Sequence, residues 1–179
     1  MTIYLIRHGK TEANEKHLCC GSTDLPLSKA GRTELAQMHY DIKNVRFITS
    51  GRSRTNETRN ILFGDVPYEV DPRFREVDFG IFEMHSYEEL KDTPDYQAWL
   101  TGDNDANVPP NGESGLQMKD RVLAAFSEIR EDTVIITHGG VIAAIMEHLF
   151  PDENKNRYEW QPKNGCGYAI TNDTYEAIP

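Results

Sequence analysis

The sequence predicts an α/β three-layer sandwich, a mostly parallel central sheet flanked by helices, on three observations. The apolar run Ile3-Tyr4-Leu5-Ile6 ends in Arg7-His8-Gly9, and a second run, Val134-Ile135-Ile136-Thr137, ends in His138-Gly139. Short apolar runs that stop at a glycine-containing turn and open a helical pattern read as buried strands feeding crossover helices. Between them, strand-like and helix-like segments alternate, the order expected of a parallel sheet covered on both faces. The 179 residues suffice for one α/β domain with a full core, and no internal repeat or low-complexity tract divides them.

Taken in order, a strand spans residues 2 to 6 and gives way to a loop from Arg7 to Leu27 rich in Gly, Asn, Ser and Thr. Ser28 is a suitable N-cap for a helix running to Tyr40, with Leu35, Ala36, Met38 and His39 on its buried side. A strand at Arg46 to Thr49, a helix near Arg54 to Leu62 and a strand around Tyr68 to Phe74 follow. Residues 83 to 113 break the alternation: they hold eight acids against one base, Lys91, with short helical pieces at Tyr87 to Lys91 and Asp95 to Leu100. This segment reads as a small lid-like excursion over the sheet's edge, ended by Pro109-Pro110-Asn111-Gly112. The core pattern resumes with a helix at Ser114 to Arg130, where Val122, Leu123, Phe126 and Ile129 share one face. A strand to Thr137, an apolar helix from Val141 to Phe150 and a closing strand at Gly167 to Thr171 complete a single domain over residues 1–179.

Composition narrows the partners. Hydrophobic residues make up 38% of the chain, which argues against disorder, and no apolar stretch reaches the length of a membrane span. The N-terminal apolar segment is too short for a signal peptide, so a cytoplasmic location is expected. Cys19, Cys20 and Cys166 offer no C-x-x-C spacing and read as free thiols in a reducing compartment. A net charge of −10 disfavours nucleic acid and acidic membrane as partners, while a small anionic ligand needs only local positive charge.

Both His-Gly turns fall at the carboxyl ends of predicted strands, where ligands bind in open α/β sheets. Either histidine alone reads equally well as a strand-end cap; the pairing is what points to chemistry. A neutral imidazole can attack phosphorus, and the Arg7 fork matches phosphate oxygens two at a time. His17, His39, His85 and His148 lack metal-ligand spacing, so neither a metal nor another cofactor is expected.

Four ordered motifs carry a resemblance. Arg7-His8-Gly9-Lys10-Thr11-Glu12-Ala13-Asn14 resembles an R-H-G-x-T-x-x-N signature, and the segment Gly21 to Gly31 resembles G-x-x-D-x-P-L-T/S-x-x-G. Pro110-Asn111-Gly112-Glu113-Ser114 resembles P-x-G-E-S, and Thr137-His138-Gly139-Gly140 a second-histidine motif. Together they are similar to the histidine phosphatase superfamily, with its phosphoglycerate-mutase-like fold, and to its smaller phosphatase branch.

That resemblance implies a nucleophile at His8, phosphate-binding arginines at Arg7 and Arg54, and His138 on a phosphoryl oxygen. It implies that Asn14, the backbone at Cys20 and Gly21, and Gly139 line the phosphate or substrate pocket. The segment Ser50-Gly51-Arg52-Ser53-Arg54 departs from the family's S-P-L-x-R at Gly51 and Arg52, which leaves open whether Arg52 joins Arg54. The proton donor falls on Glu76, in a stretch similar to L-x-E-x-x-F-G-x-W-E-G with Met84 where glycine is usual, and Asp78 competes for the role. An alkoxide leaves poorly unless protonated, so a carboxylic acid beside the bridging oxygen is required for unactivated esters.

The implied reaction is metal-independent hydrolysis of a small phosphorylated metabolite through a phosphohistidine. Phosphoglycerate-mutase-type transfer and a non-catalytic phosphate-binding domain are the alternatives. The short, acidic 83–113 segment disfavours a doubly anionic mutase substrate if it covers the mouth. The Gly21 to Gly31 segment and the compact length are similar to bacterial α-ribazole-phosphate phosphatases, which makes α-ribazole 5'-phosphate the expected substrate.

Overall fold

The computed structural model describes residues 1–179. Six strands form one sheet: β1 (Thr2–Arg7), β2 (Arg46–Thr49), β3 (Glu69–Val70), β4 (Thr133–Thr137), β5 (Gly167–Thr171) and β6 (Thr174–Ile178), in the order β3-β2-β4-β1-β5-β6. β3, β2, β4 and β1 are parallel, and β5 and β6 extend the sheet antiparallel beyond β1. The helices are α1 (Glu12–Glu15), α2 (Lys29–Leu35), α3 (Ser53–Phe63), α4 (Tyr87–Leu90), α5 (Pro94–Leu100), α6 (Gly115–Phe126), α7 (Gly139–Leu149) and α8 (Arg157–Trp160).

The period-two alternation of the strands builds two cores, one on each side of the sheet. Ile3, Leu5, Ile48 and Ile135 point to the face covered by α6 and α7, where Val122, Ile142, Ile145 and Trp160 pack. Ile6, Phe47, Val134 and Ile136 point to the opposite face, beside Leu62 and Phe63 at the end of α3. Both faces of β1 and β4 are therefore dry, which explains why their sequences read as unbroken apolar runs. No helix is long and apolar enough to cross a membrane.

Several boundaries differ from expectation. α2 is capped by the Ser28 side chain as anticipated, but it stops at Leu35, the only one of the four expected core residues that is buried; Ala36 and His39 are exposed. The strand expected over Tyr68 to Phe74 shrinks to β3, because Asp71 caps a 3-10 turn opened by Pro72. A proline at the start of a turn cannot donate to a strand ladder. α6 ends at Phe126 and buries Met118, Val122 and Ala125, while Leu123 and Phe126 are only half-buried. The loop after β1 contains α1, closed by a reciprocal cap between Thr11 and Asn14, and β5 is followed by the unanticipated edge strand β6.

Candidate active site

β1 and β4 are neighbours in register, with Arg7 opposite Thr137, so the residue after each is a histidine at the same carboxyl edge. The His8 N–H donates to the Thr137 carbonyl at 2.9 Å, and the two imidazole centroids stand 5.2 Å apart at 63°. The structure thus brings together the two His-Gly turns that lie 130 residues apart in the chain.

His8 is held as one tautomer. Its Nδ1 lies 2.7 Å from the Gly9 carbonyl, which can only accept, so Nδ1 carries the proton and Nε2 keeps its lone pair. Burial, together with the charges of Arg54 and Arg7, pushes its pKa well below the ordinary histidine value. The ring is therefore neutral and nucleophilic at neutral pH. His138 is likewise buried and pushed well below the ordinary value by desolvation, then by Arg54 and His8. Its Nε2 meets the Ser50 hydroxyl at 2.8 Å, which leaves the buried Nδ1 without a protein partner.

Arg54, only 1% exposed, is aimed by α3 and held by two carbonyls: Nη1 donates to Thr23 and Nη2 to Gly21, each at 2.8 Å. Arg7 donates Nη1 to the Pro162 carbonyl at 2.9 Å. Burial lowers the pKa of both guanidiniums from the usual arginine range, against the opposing charge of Glu76. Thr58 ties α3 to the His8-Gly9 turn, accepting from the Gly9 N–H at 2.9 Å and donating to the Arg54 carbonyl at 2.6 Å.

Glu76 faces the same cradle: Oε2 accepts from the Gly140 N–H at 2.9 Å, and Oε1 accepts from Val77 at 3.1 Å. Its backbone is braced by Arg121, which donates to the carbonyls of Arg73, Arg75 and Glu76 and pairs with Glu113. Asp78, the rival acid, is occupied elsewhere, accepting from the Ser22 hydroxyl and the Gly80 N–H at 2.9 Å each.

The remaining candidates are placed more unevenly. Gly21 offers no free backbone donor, since its N–H donates to Glu83 and its carbonyl holds Arg54. It is glycine because an added Cβ would sit 1.6 Å from the Val77 oxygen. Asn14 and Cys20 line the adjoining cavity, although the Asn14 Oδ1 accepts from Thr11 in the α1 cap. Gly139 opens α7 against Arg7, where a side chain would meet the Arg7 guanidinium carbon at 3.2 Å.

A cavity of about 340 Å³ runs from Arg7, Glu76 and Gly140 outward between α6, α7 and the 83–113 segment. Phe79, Trp99, Leu116 and Met118 supply apolar walls, and Asp105, paired with Arg157 of α8, stands at its border. The 83–113 segment therefore covers the cavity, but of its acids only Asp105 and Glu113 line it, each already paired with an arginine. The acidic charge expected at the mouth mostly faces solvent. No group of three or more His, Cys, Asp or Glu side chains is placed to hold a metal ion.

Sequence reasoning missed three braces. Glu83 accepts from the N–H groups of Gly21, Ser22, Thr23 and Phe79 and so shapes the loop that carries Arg54's carbonyl partners. Arg121 and Asn164, which donates to the His8 carbonyl at 3.0 Å, act equally at a distance in sequence. Glu83 stands at the second E of the L-x-E-x-x-F-G-x-W-E-G stretch, but nothing local shows that it braces Gly21 to Thr23 some sixty residues earlier. Arg121 and Asn164 carry no local mark, because they act on backbone groups far along the chain.

Two imidazoles and two guanidiniums converging at the carboxyl ends of parallel strands define a phosphoryl-transfer enzyme. The chain matches the Histidine phosphatase superfamily (branch 1) over residues 3–177, and it belongs to that family. It is 32% identical, over 95% of its length and 90% of the relative's, to an adenosylcobalamin/alpha-ribazole phosphatase of Salmonella typhimurium. It is 27% identical, over 83% of its length and 74% of the relative's, to a probable phosphoglycerate mutase of Salmonella paratyphi B. A solved Escherichia coli K-12 structure, provisionally assigned as an alpha-ribazole-5'-P phosphatase, superposes with a TM-score of 0.84 at 26% identity, covering 99% of this chain and 94% of that one. The protein is a phosphatase that hydrolyses a phosphate ester of a small substrate.

Proposed function

We propose that His8 is the nucleophile, Glu76 the proton donor and α-ribazole 5'-phosphate the substrate class. The observation that carries the cradle is the distribution of unpartnered polar atoms. Of the five buried side-chain nitrogens and oxygens without a partner, four are Arg7 Nε, Arg52 Nε, Arg54 Nε and His138 Nδ1. Buried donors without acceptors cost about 1–3 kcal/mol each, and a phosphoryl dianion supplies acceptors for such a group.

In the first step His8 Nε2 bonds to phosphorus as the bond to the ester oxygen breaks, and the Glu76 carboxyl gives that oxygen its proton. In the second, Glu76, now a carboxylate, takes a proton from water as the water oxygen attacks phosphorus and the bond to Nε2 breaks, releasing inorganic phosphate. Arg7, Arg54 and the Nδ1–H of His138 stabilise the charge on the equatorial oxygens, with the Ser50 hydroxyl donating to Nε2 to hold that tautomer. The whole chain acts as one domain, in the cytoplasm. For the leaving group, the apolar walls around Trp99 and Leu116 suit a flat base on a ribose, and the name of the Salmonella relative supports that choice.

The experiment is hydrolysis of a panel of phosphate monoesters in excess chelator, with acid quenching to trap labelled phosphate. The expected result is acid-labile phosphate on His8 and the highest kcat/KM with α-ribazole 5'-phosphate. Loss of activity on chelation, or label on another residue, overturns the mechanism; equal rates across sugar phosphates overturn the substrate.

A further inference from the structure

Arg52 is the only arginine of the chain whose guanidinium donates to no protein oxygen. Its Nε is buried and unpartnered, and it forms no ion pair. Even Arg59, whose Nε is also unpartnered, donates Nη1 to the Gly64 and Val66 carbonyls and stacks on Tyr68. Of that guanidinium only Nε is fully buried, and a buried donor without an acceptor is costly unless a ligand supplies one.

Its backbone position puts it beside the cradle. Arg52 caps the start of α3 two residues before Arg54, and its N–H donates to the Ser50 hydroxyl at 3.4 Å, the oxygen that touches His138. Its charge bears on His138, on Arg54 and on Cys20 at the cavity wall. Gly51 explains how it gets there. With φ at +80° Gly51 adopts a conformation closed to proline, which is locked near −65°, so the family's proline cannot occupy this turn. The two departures from S-P-L-x-R are adjacent: a glycine turn with positive φ, followed directly by an arginine where the pattern has an apolar residue.

We propose that Arg52 is a third guanidinium on the transferring phosphoryl group, acting beside Arg7 and Arg54. The assignment rests on the phosphohistidine reading above and adds a contact that the family pattern lacks. Arg52 donates to an equatorial oxygen that Arg54 leaves free, and it strengthens binding of the substrate dianion and of the inorganic phosphate product.

The test compares Arg52→Leu, the family residue, and Arg52→Gln with the wild type on two monoesters, one with a neutral leaving group and one whose leaving group carries a carboxylate. For both substrates kcat/KM is expected to fall about 10- to 100-fold, with inhibition by inorganic phosphate weakened by a similar factor and Arg52→Lys recovering part of each. A loss confined to the carboxylate-bearing ester would place Arg52 on the leaving group and overturn the proposal. Unchanged kinetics and phosphate inhibition would overturn it as well. If Arg52→Leu does not fold, Arg52→Gln and Arg52→Lys carry the same comparison. Because wild-type trapping of phosphate on His8 is scored separately, a failure of the underlying mechanism is told apart from a failure of Arg52.

Discussion

Around His8 the candidate site's side chains are buried and held by backbone groups, with Arg54 clamped on two carbonyls and the His8 ring on a third. Across the same cavity the 83–113 segment is made of short helices; α5 buries no residue, and its order comes from an aromatic cluster of Phe82, Tyr96 and Trp99. The contrast separates two tasks. Charge stabilisation during phosphoryl transfer needs donors that do not reorganise, whereas a leaving group is met by surfaces that can adjust.

The largest effect should come from the rigid side: His8→Asn is expected to lower kcat by about 10⁴-fold or more on an aryl phosphate, checked by steady-state assay alongside thermal unfolding. Residual activity near wild type would remove the nucleophile from this cradle. Next, Glu76→Gln should slow alkyl phosphates by about 10²- to 10⁴-fold and aryl phosphates, whose leaving groups need less protonation, distinctly less. Equal slowing on both would mean that Glu76 acts on something other than the leaving oxygen.

On the adaptable side, Trp99→Ala should raise KM for the preferred ester about 10-fold while leaving kcat on a small aryl phosphate within about twofold. If both parameters fell together, the lid would belong to the catalytic apparatus and the separation would fail.

Stability offers a further contrast. His8 and His138 resist protonation when folded but take up protons near pH 6.5 when unfolded, so below that pH the unfolded chain binds more protons and stability falls as pH drops. A Tm series from pH 7.5 to 5 should decline, and His8→Asn should flatten it. An unchanged slope would assign the acid sensitivity to other groups. The smallest expected effect lies at Met84, which holds φ at +63° where the resemblance places glycine. Met84→Gly should relieve about 0.5–1 kcal/mol of backbone strain, read as a Tm rise of about 1–4 °C.

Much of the candidate site was legible because its residues sit in contiguous motifs that end apolar strands: Arg7 and His8 at the end of β1, His138 and Gly139 after β4. Glu76 was favoured from its place in the motif with Asp78 two residues away as its rival, and only the folded chain shows Asp78 engaged with Ser22 and Gly80. Gly21 was expected to line the pocket, and its hold on Arg54 through its carbonyl had no local signature, since the two lie 33 residues apart.

By itself the chain determined the alternation of elements, the two dry strands and the two imidazoles that meet at one sheet edge, because hydrophobic period and turn chemistry are local properties. Tertiary structure decided the tautomer of His8, the clamp on Arg54, the brace of Arg121 and the solitary state of Arg52. Each of these depends on which backbone oxygen or carboxylate comes to stand beside a side chain, and that is settled only when distant segments pack.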